Sequence, residues 1–388
     1  MTEPGVVRLR TVVPATGPWI FRKMVRDATP RTSPGSVVRV LDREGTFVAQ
    51  AFWNPDSELA LRVLTRDERP VDEYWFRDAV RRAVALRREV LQLDRVSDAW
   101  RAVFSEADRL PGLVVDRFGP VLSCQVSTLG IYRAWDVLAD ELRSVLGARV
   151  VHVSAEPRIA KLEGFPIPDG AGDAARTTIR EHGLSFDVDC ARGHKTGFFL
   201  DQRESRHRVR ELAGGRRVLD LCCYTGGFAL NAAKGGATAV TAVDLDEEAV
   251  AQGRRNGIRN GIGGKVEFVH ADAFAYVRAL PAARYDLVIV DPAKQAASKS
   301  ERGRALAYYH DLNAAVFAKV LPDGLVLTCS CTGVVSEHDF LDALARAAAT
   351  ARRSVVHLEV RGAPGDHPVP ADFPQARYLK TVLCRVGA

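Results

Sequence analysis

The stretch VLDLCCYTGGFA, residues Val218 to Ala229, decides the fold. An apolar strand ends at Asp220, the chain turns through Tyr224, Thr225, Gly226 and Gly227, and a helix opens at Phe228. A helix start presents unpaired backbone N–H groups, and glycine there lets a ligand approach with no Cβ in the way. That combination reads as a nucleotide-cofactor turn.

Outward from the turn, the pattern alternates. Strands are expected at 218–221, 239–243, 266–270, 285–290 and 325–330, separated by helices near 228–234, 247–260, 273–280 and 305–320. A helix over 337–351 then precedes strands at 354–360 and 378–385. Alternation of this kind calls for an α/β doubly wound, Rossmann-like sheet with its ligand at the C-terminal strand ends. This domain is placed at 191–388.

Two acids fit a nucleoside cofactor. Asp244 closes the second strand, where a carboxylate can accept from both ribose hydroxyls, and Asp272 closes the third, in reach of an adenine amino group. Each is also an ordinary helix cap. NAD is the natural rival, but Cys222 and Tyr224 stand where the early glycines of G-x-G-x-x-G belong. Without those glycines a pyrophosphate cannot approach closely, whereas S-adenosylmethionine (SAM) has none.

The fourth strand ends in Asp291-Pro292-Ala293-Lys294 and the fifth in Thr328-Cys329-Ser330-Cys331-Thr332-Gly333. A carboxylate followed by proline at a strand end can touch a substrate base, with a plain turn as the lesser alternative. Cysteine in a strand is usually a small buried hydrophobe. Beside a methyl donor and the Asp-Pro turn, Cys331 acquires another use. Cytosine C5 is a weak nucleophile until a thiolate adds to C6 and pushes electron density onto it. Lys294 or a general base would help ionise the thiol, and Asp291 would hydrogen-bond N3 or the exocyclic amine.

The 388 residues are 47% hydrophobic and 26% charged, which suggests two or three domains of a soluble protein. No apolar run approaches a membrane span and the first residues lack a signal-peptide block, so a cytoplasmic location is expected. Seven scattered cysteines indicate neither a disulfide framework nor a structural zinc, and no metal is expected. The net charge of +6 is carried mostly by arginine, suited to phosphate and bases but modest for this surface.

Residues 1–72 carry short β-type runs, Val6–Val13, Ser36–Leu41, Thr46–Phe52 and Leu59–Leu64, and read as a small β-barrel. Six basic residues, Arg8, Arg10 and Lys23 among them, oppose only Glu3 and Asp27 in the first 31 residues. Trp19 and Phe21 could stack on bases, but a plug for one barrel end is preferred. Residues 73–190 read as a central α+β domain. A helix there carries Arg77, Arg81, Arg82, Arg87 and Arg88 on one face, phosphate-tracking or merely solvated, and Pro157–Arg176 reads as a loop.

His194-Lys195-Thr196-Gly197, Leu200-Asp201-Gln202-Arg203 and Tyr224-Thr225-Gly226-Gly227-Phe228 are the most specific strings. With Gly17-Pro18-Trp19, Leu110-Pro111-Gly112, Asp116-Arg117-Phe118-Gly119, Asp366-His367-Pro368 and Tyr378-Leu379-Lys380, the chain resembles PUA-domain class I SAM-dependent RNA methyltransferases, of the bacterial type forming 5-methylcytosine in 23S ribosomal RNA. The resemblance implies a PUA-like RNA-binding barrel, SAM as cofactor, ribosomal RNA as partner with a homodimer left open, and Ser330-Cys331-Thr332-Gly333 as the nucleophile motif. It implies SAM contacts from Gln202, Arg203, Tyr224, Thr225, Gly226, Gly227, Phe228, Asp244, Asp272 and Asp291, with Cys331, Asp291 and Lys294 as catalytic residues. The family's Asp-Pro-Pro-Lys-Phe is Asp291-Pro292-Ala293-Lys294-Gln295 here, which loses a proline and an aromatic. Methylation of guanine or an exocyclic amine, or an RNA-binding protein with impaired catalysis, are the alternatives.

Overall fold

The computed structural model describes residues 5–12, 17–193, 196–281 and 283–388. Val13, the end of the first expected strand, and His194-Lys195 lie outside the described residues. Two compact units divide the chain: one holds Met1–Arg180, Val188–Leu200 and Gly365–Ala376, the other Glu181–Asp187, Asp201–Pro364 and Arg377–Ala388.

The first unit opens with β1 (Gly5–Leu9), β2 (Trp19–Ile20), β3 (Val25–Ala28), β4 (Val37–Leu41), β5 (Phe47–Trp53) and β6 (Leu61–Thr65), in the order β2-β6-β5-β4-β1-β3. Side chains from several strands, among them Val7, Leu9, Val38, Val40, Ala51 and Leu61, share one core, as a small barrel requires. Ile20 joins that core, while Phe21 is 43% exposed. The expected aromatic plug is therefore wrong for Phe21. Trp19 instead donates from Nε1 to Glu106 at 2.8 Å and meets Phe373 edge-on at 4.5 Å.

Next come α1 (Glu73–Ala85), β7 (Ala99–Phe104), β8 (Leu113–Phe118), β9 (Val121–Val126), α2 (Leu129–Arg133), α3 (Trp135–Leu146), β10 (Val150–Ser154) and α4 (Pro157–Glu163), with a four-stranded sheet ordered β10-β9-β8-β7. The arginines of the first helical stretch are neither merely solvated nor unengaged. Arg77 and Arg81 grip Glu141, Arg82 pairs with Asp78, Arg88 with Asp94, and fully buried Arg87 pairs with Asp108 at 2.6 Å. Pro157–Arg176 is not all loop either. Pro157 occupies the first helical position of α4, where its missing N–H costs nothing.

Strands β11 (Arg176–Glu181) and β12 (Leu184–Asp189) follow. The second unit then runs α5 (Arg203–Leu212), β13 (Arg217–Leu221), α6 (Gly227–Lys234), β14 (Ala239–Asp244), α7 (Glu247–Arg259), β15 (Val266–His270), α8 (Ala273–Ala279), β16 (Tyr285–Val290), α9 (Arg302–Lys319), β17 (Val320–Ser330), α10 (Glu337–Ala351), β18 (Val355–Arg361) and β19 (Lys380–Val386). Its seven-stranded sheet has the order β15-β14-β13-β16-β17-β19-β18. Strands β13 to β17 are parallel, with order reversing at β13, while β19 inserts antiparallel between β17 and β18. The near-continuous apolar strands Val218–Leu221 and Leu287–Val290 suit a sheet covered on both faces.

Candidate active site

Beyond β13 the backbone is left-handed at Cys222 (φ 63°), Tyr224 (φ 48°) and Gly226 (φ 85°). Two of those three carry side chains, so the turn is strained and needs holding. Tyr224 N–H donates to Asp244 Oδ2 at 2.7 Å, and Asn256 Nδ2 donates to the Thr225 carbonyl at 3.1 Å. A Cβ on Gly226 would lie 2.9 Å from the Phe268 ring, and one on Gly227 2.8 Å from Arg206 Cδ. Both glycines are thus fixed by close packing within the protein, a reason that ligand approach alone does not supply. Thr225 and Phe228 are buried in the same turn.

Carboxylates gather at the ends of neighbouring strands. Asp220 on β13 is fully buried; its Oδ2 accepts the Ala229 N–H at 2.9 Å, while Oδ1 has no partner within the protein. Burial pushes its pKa well above the carboxylate range, and the charges of Asp291 and Asp244 push the same way. Asp244 Oδ1 accepts the Asp246 N–H at 2.9 Å, and Asp291 Oδ1 accepts from Gln202 Nε2 at 3.1 Å. Buried Gln202 keeps its Oε1 without a partner. Arg203, wholly buried at the start of α5, donates from Nε to Glu204. Asp272 caps α8, accepting the Ala275 N–H at 2.7 Å.

The carboxylates of Asp244 and Asp291 around one switch point favour a cation and disfavour a pyrophosphate, and buried Asp220 adds an unpartnered oxygen. A cofactor bearing a sulfonium and an ammonium fits this charge and the orphaned Asp220 oxygen; a dinucleotide does not.

The two strand-end cysteines separate cleanly. Cys329 is fully buried, 3.5 Å from Thr381 Oγ1, and burial drives its thiol pKa far up. Cys331 lies beyond the end of β17 and is half-buried. The next residue binds two elements together. Thr332 Oγ1 accepts the Gln295 N–H at 3.0 Å and lies 2.7 Å from the Tyr309 hydroxyl of α9. The Asp291–Gln295 turn and the Cys331 turn are thereby joined. Lys294 is exposed, with no hydrogen bond or ion pair among the described residues, whereas buried Lys380 donates to the Thr332 carbonyl at 2.8 Å. Sequence reasoning missed Thr332, Tyr309 and Lys380 as site residues. Lys380 was visible only as part of the Tyr378-Leu379-Lys380 string.

A model of the S-adenosylmethionine-dependent methyltransferase family matches residues 170–385, and a PUA-like domain model matches residues 15–66. The chain belongs to the S-adenosylmethionine-dependent methyltransferase family. Proteins named ribosomal RNA large subunit methyltransferase I are similar to this methyltransferase over nearly their whole length. The one from Photobacterium profundum is 35% identical over 95% of both chains, and the one from Salmonella arizonae 34% identical over 95% of this chain and 93% of its own. A candidate methyltransferase complexed with SAH shares the fold at a TM-score of 0.82 and 20% identity, covering 98% of this chain and 99% of that one. The methyltransferase uses SAM. No helix of the described residues is long and apolar enough to cross a membrane, and no metal-holding group of side chains occurs among them.

Proposed function

We propose that this methyltransferase modifies ribosomal RNA of the large subunit, the 23S species, at cytosine C5 through a covalent adduct of Cys331. The observation that carries this reading is the Gln295–Thr332 hydrogen bond, which ties the Asp291 turn to the turn bearing a half-buried cysteine. The names of the relatives supply the RNA class.

Asp220, Asp244 and Asp291 would hold the cationic cofactor, with Gln202 fixing Asp291. SAM supplies an electrophilic methyl group there when bound. The Cys331 thiolate adds to C6 of the cytosine and loads the electron pair onto C5, which takes up the methyl. Asp291 orients the ring through N3 or the exocyclic amine, with Lys294 at the same turn facing solvent. Loss of the C5 proton to a base then returns the electron pair and expels the thiolate.

Replacing Cys331 with Ala should abolish methyl transfer to 23S RNA while SAM binding stays nearly unchanged. RNA carrying 5-fluorocytosine, which has no C5 proton to lose, should leave a trapped adduct on the wild-type protein only. Retained activity in Cys331→Ala, or methylguanosine in nuclease digests of the product, overturns the reading.

A further inference from the structure

Lys380 opens β19 opposite Ser330 of β17, so it stands beside the Cys331 turn across one strand pair. Its side chain is 2% exposed. The ammonium donates to two carbonyls, those of Thr332 and Tyr378, each at 2.8 Å. Among the described residues no carboxylate pairs with it. Lysine is almost never buried unless paired, because removing an ammonium from water costs several kcal/mol that neutral carbonyls return only in part.

Among the described residues, few groups face this corner. Cys331 lies beyond β17, Asp291 beyond β16, Tyr309 on α9, Glu337 and Asp339 on the first turn of α10, and Tyr378 just ahead of β19. Asp339 is committed to Arg302 and Ser336, and Glu337 to Arg377. Tyr378 donates to Asp201, and burial pushes the Tyr309 phenol up to about 12. Asp291 accepts from Gln202, and among the described residues the leading anion that acts on Lys380 is the one Cys331 forms on losing its proton. Burial pushes the Lys380 ammonium down to about 8, and of the charges that pull it back up the Cys331 thiolate is the largest.

We propose that Lys380 is the counter-charge of the Cys331 thiolate, a positioning residue that keeps the nucleophile ionised near neutral pH. The proposal rests on the reading of Cys331 as nucleophile. Ionisation sends the thiol proton to solvent, from which half-buried Cys331 is not sealed, and the ammonium stays protonated. Lys294, exposed on the neighbouring turn, is spared this role. A purely structural lysine would need only its two hydrogen bonds, which a neutral donor can imitate; a counter-charge cannot be imitated.

The test is the pH dependence of Cys331 alkylation by iodoacetamide, read by peptide mass spectrometry on the full chain, in wild type, Lys380→Met and Lys380→Gln. Wild type should titrate below the ordinary thiol midpoint of ~8.5. Both variants should titrate about one unit or more higher, ~10-fold slower at neutral pH, with the pH profile of methyl transfer displaced in parallel. Glutamine keeps a donor for the carbonyls, so a wild-type midpoint in Lys380→Gln overturns the counter-charge, as does a wild-type midpoint already at or above the ordinary value. SAM binding and thermal melts report that the variants fold; if Met does not, Gln and wild type still decide. Activity of Cys331→Ala is a separate arm. Methylation retained there defeats the nucleophile reading, while the alkylation midpoints judge Lys380 independently.

Discussion

The hydroxyl of Thr332 accepts the backbone N–H of Gln295 at 3.0 Å, so the turns after β16 and β17 are one rigid corner. Tyr309 reaches the same oxygen from α9. Thr332→Val keeps the side chain's shape and removes both interactions, stranding buried polar groups at ~1–3 kcal/mol each. We expect kcat to fall ~10-fold or more with SAM affinity little changed, and Thr332→Ser to restore it. A valine variant with wild-type kcat would show that the tie does not matter to turnover.

Thiol labelling distinguishes the two cysteines of β17 and its turn. Cys329, like Cys124 and Cys384, is fully buried, and burial raises the pKa of all three. Brief alkylation of the native protein at neutral pH should label Cys331 and leave these three intact until denaturant is added. Equal labelling of Cys329 would contradict the assignment.

Asp220 makes stability depend on pH. Its folded-state pKa lies well above 3.8, so the stability carried by the protonated form is full below that value and is lost as pH rises through the folded pKa. Asp220→Asn keeps the acceptor for Ala229 N–H and cannot ionise. Without cofactor, the melting temperature of wild type relative to Asp220→Asn should fall as pH rises above 3.8 and level off once the folded pKa is passed. The variant should also bind SAM ~10-fold or more weakly by calorimetry, having lost the unpartnered carboxyl oxygen aimed at the site. A pH-independent difference between the two proteins would remove Asp220 as the titrating group.

The Arg206–Glu181 pair supports the glycine turn from below. Glu181 accepts from Nε at 2.7 Å and from Nη2 at 2.6 Å, with side chains only 3% and 1% exposed, and Arg206 Cδ lies under Gly227. Glu181→Ala leaves a buried guanidinium without its counter-ion, and urea unfolding should register a loss of ~3–5 kcal/mol. A loss near zero would mean that the guanidinium relaxes to solvent.

Much of the second unit was legible because its signals are local. The buried runs at 218–221 and 285–290 and the glycine turn at 226–227 mark strands and their ligand edge with no knowledge of what packs on them. The family strings carried the rest of the architecture. What stayed hidden depends on pairing across long sequence distances. Nothing in residues 77–88 says that Glu141 or Asp108 will take up their arginines, and nothing in a two-residue strand at 19–20 says which of three adjacent large side chains enters the core. Thr332 read only as part of the nucleophile motif until its partners, 37 and 23 residues away, were seen. Lys380 is the extreme case, since its neighbours are backbone carbonyls that no side-chain pattern announces.

The insertion of β19 between β17 and β18 bears on how the chain is made. Synthesis delivers the five parallel strands first, and β17 then waits with an open, apolar border until residues 380–386 leave the ribosome. The same late segment brings Lys380, whose amine holds the Thr332 carbonyl next to Cys331. A nascent or nicked polypeptide would therefore carry the glycine turn and its carboxylates with a sticky margin and an untied Thr332 carbonyl, so that the corner is finished only when the sheet is.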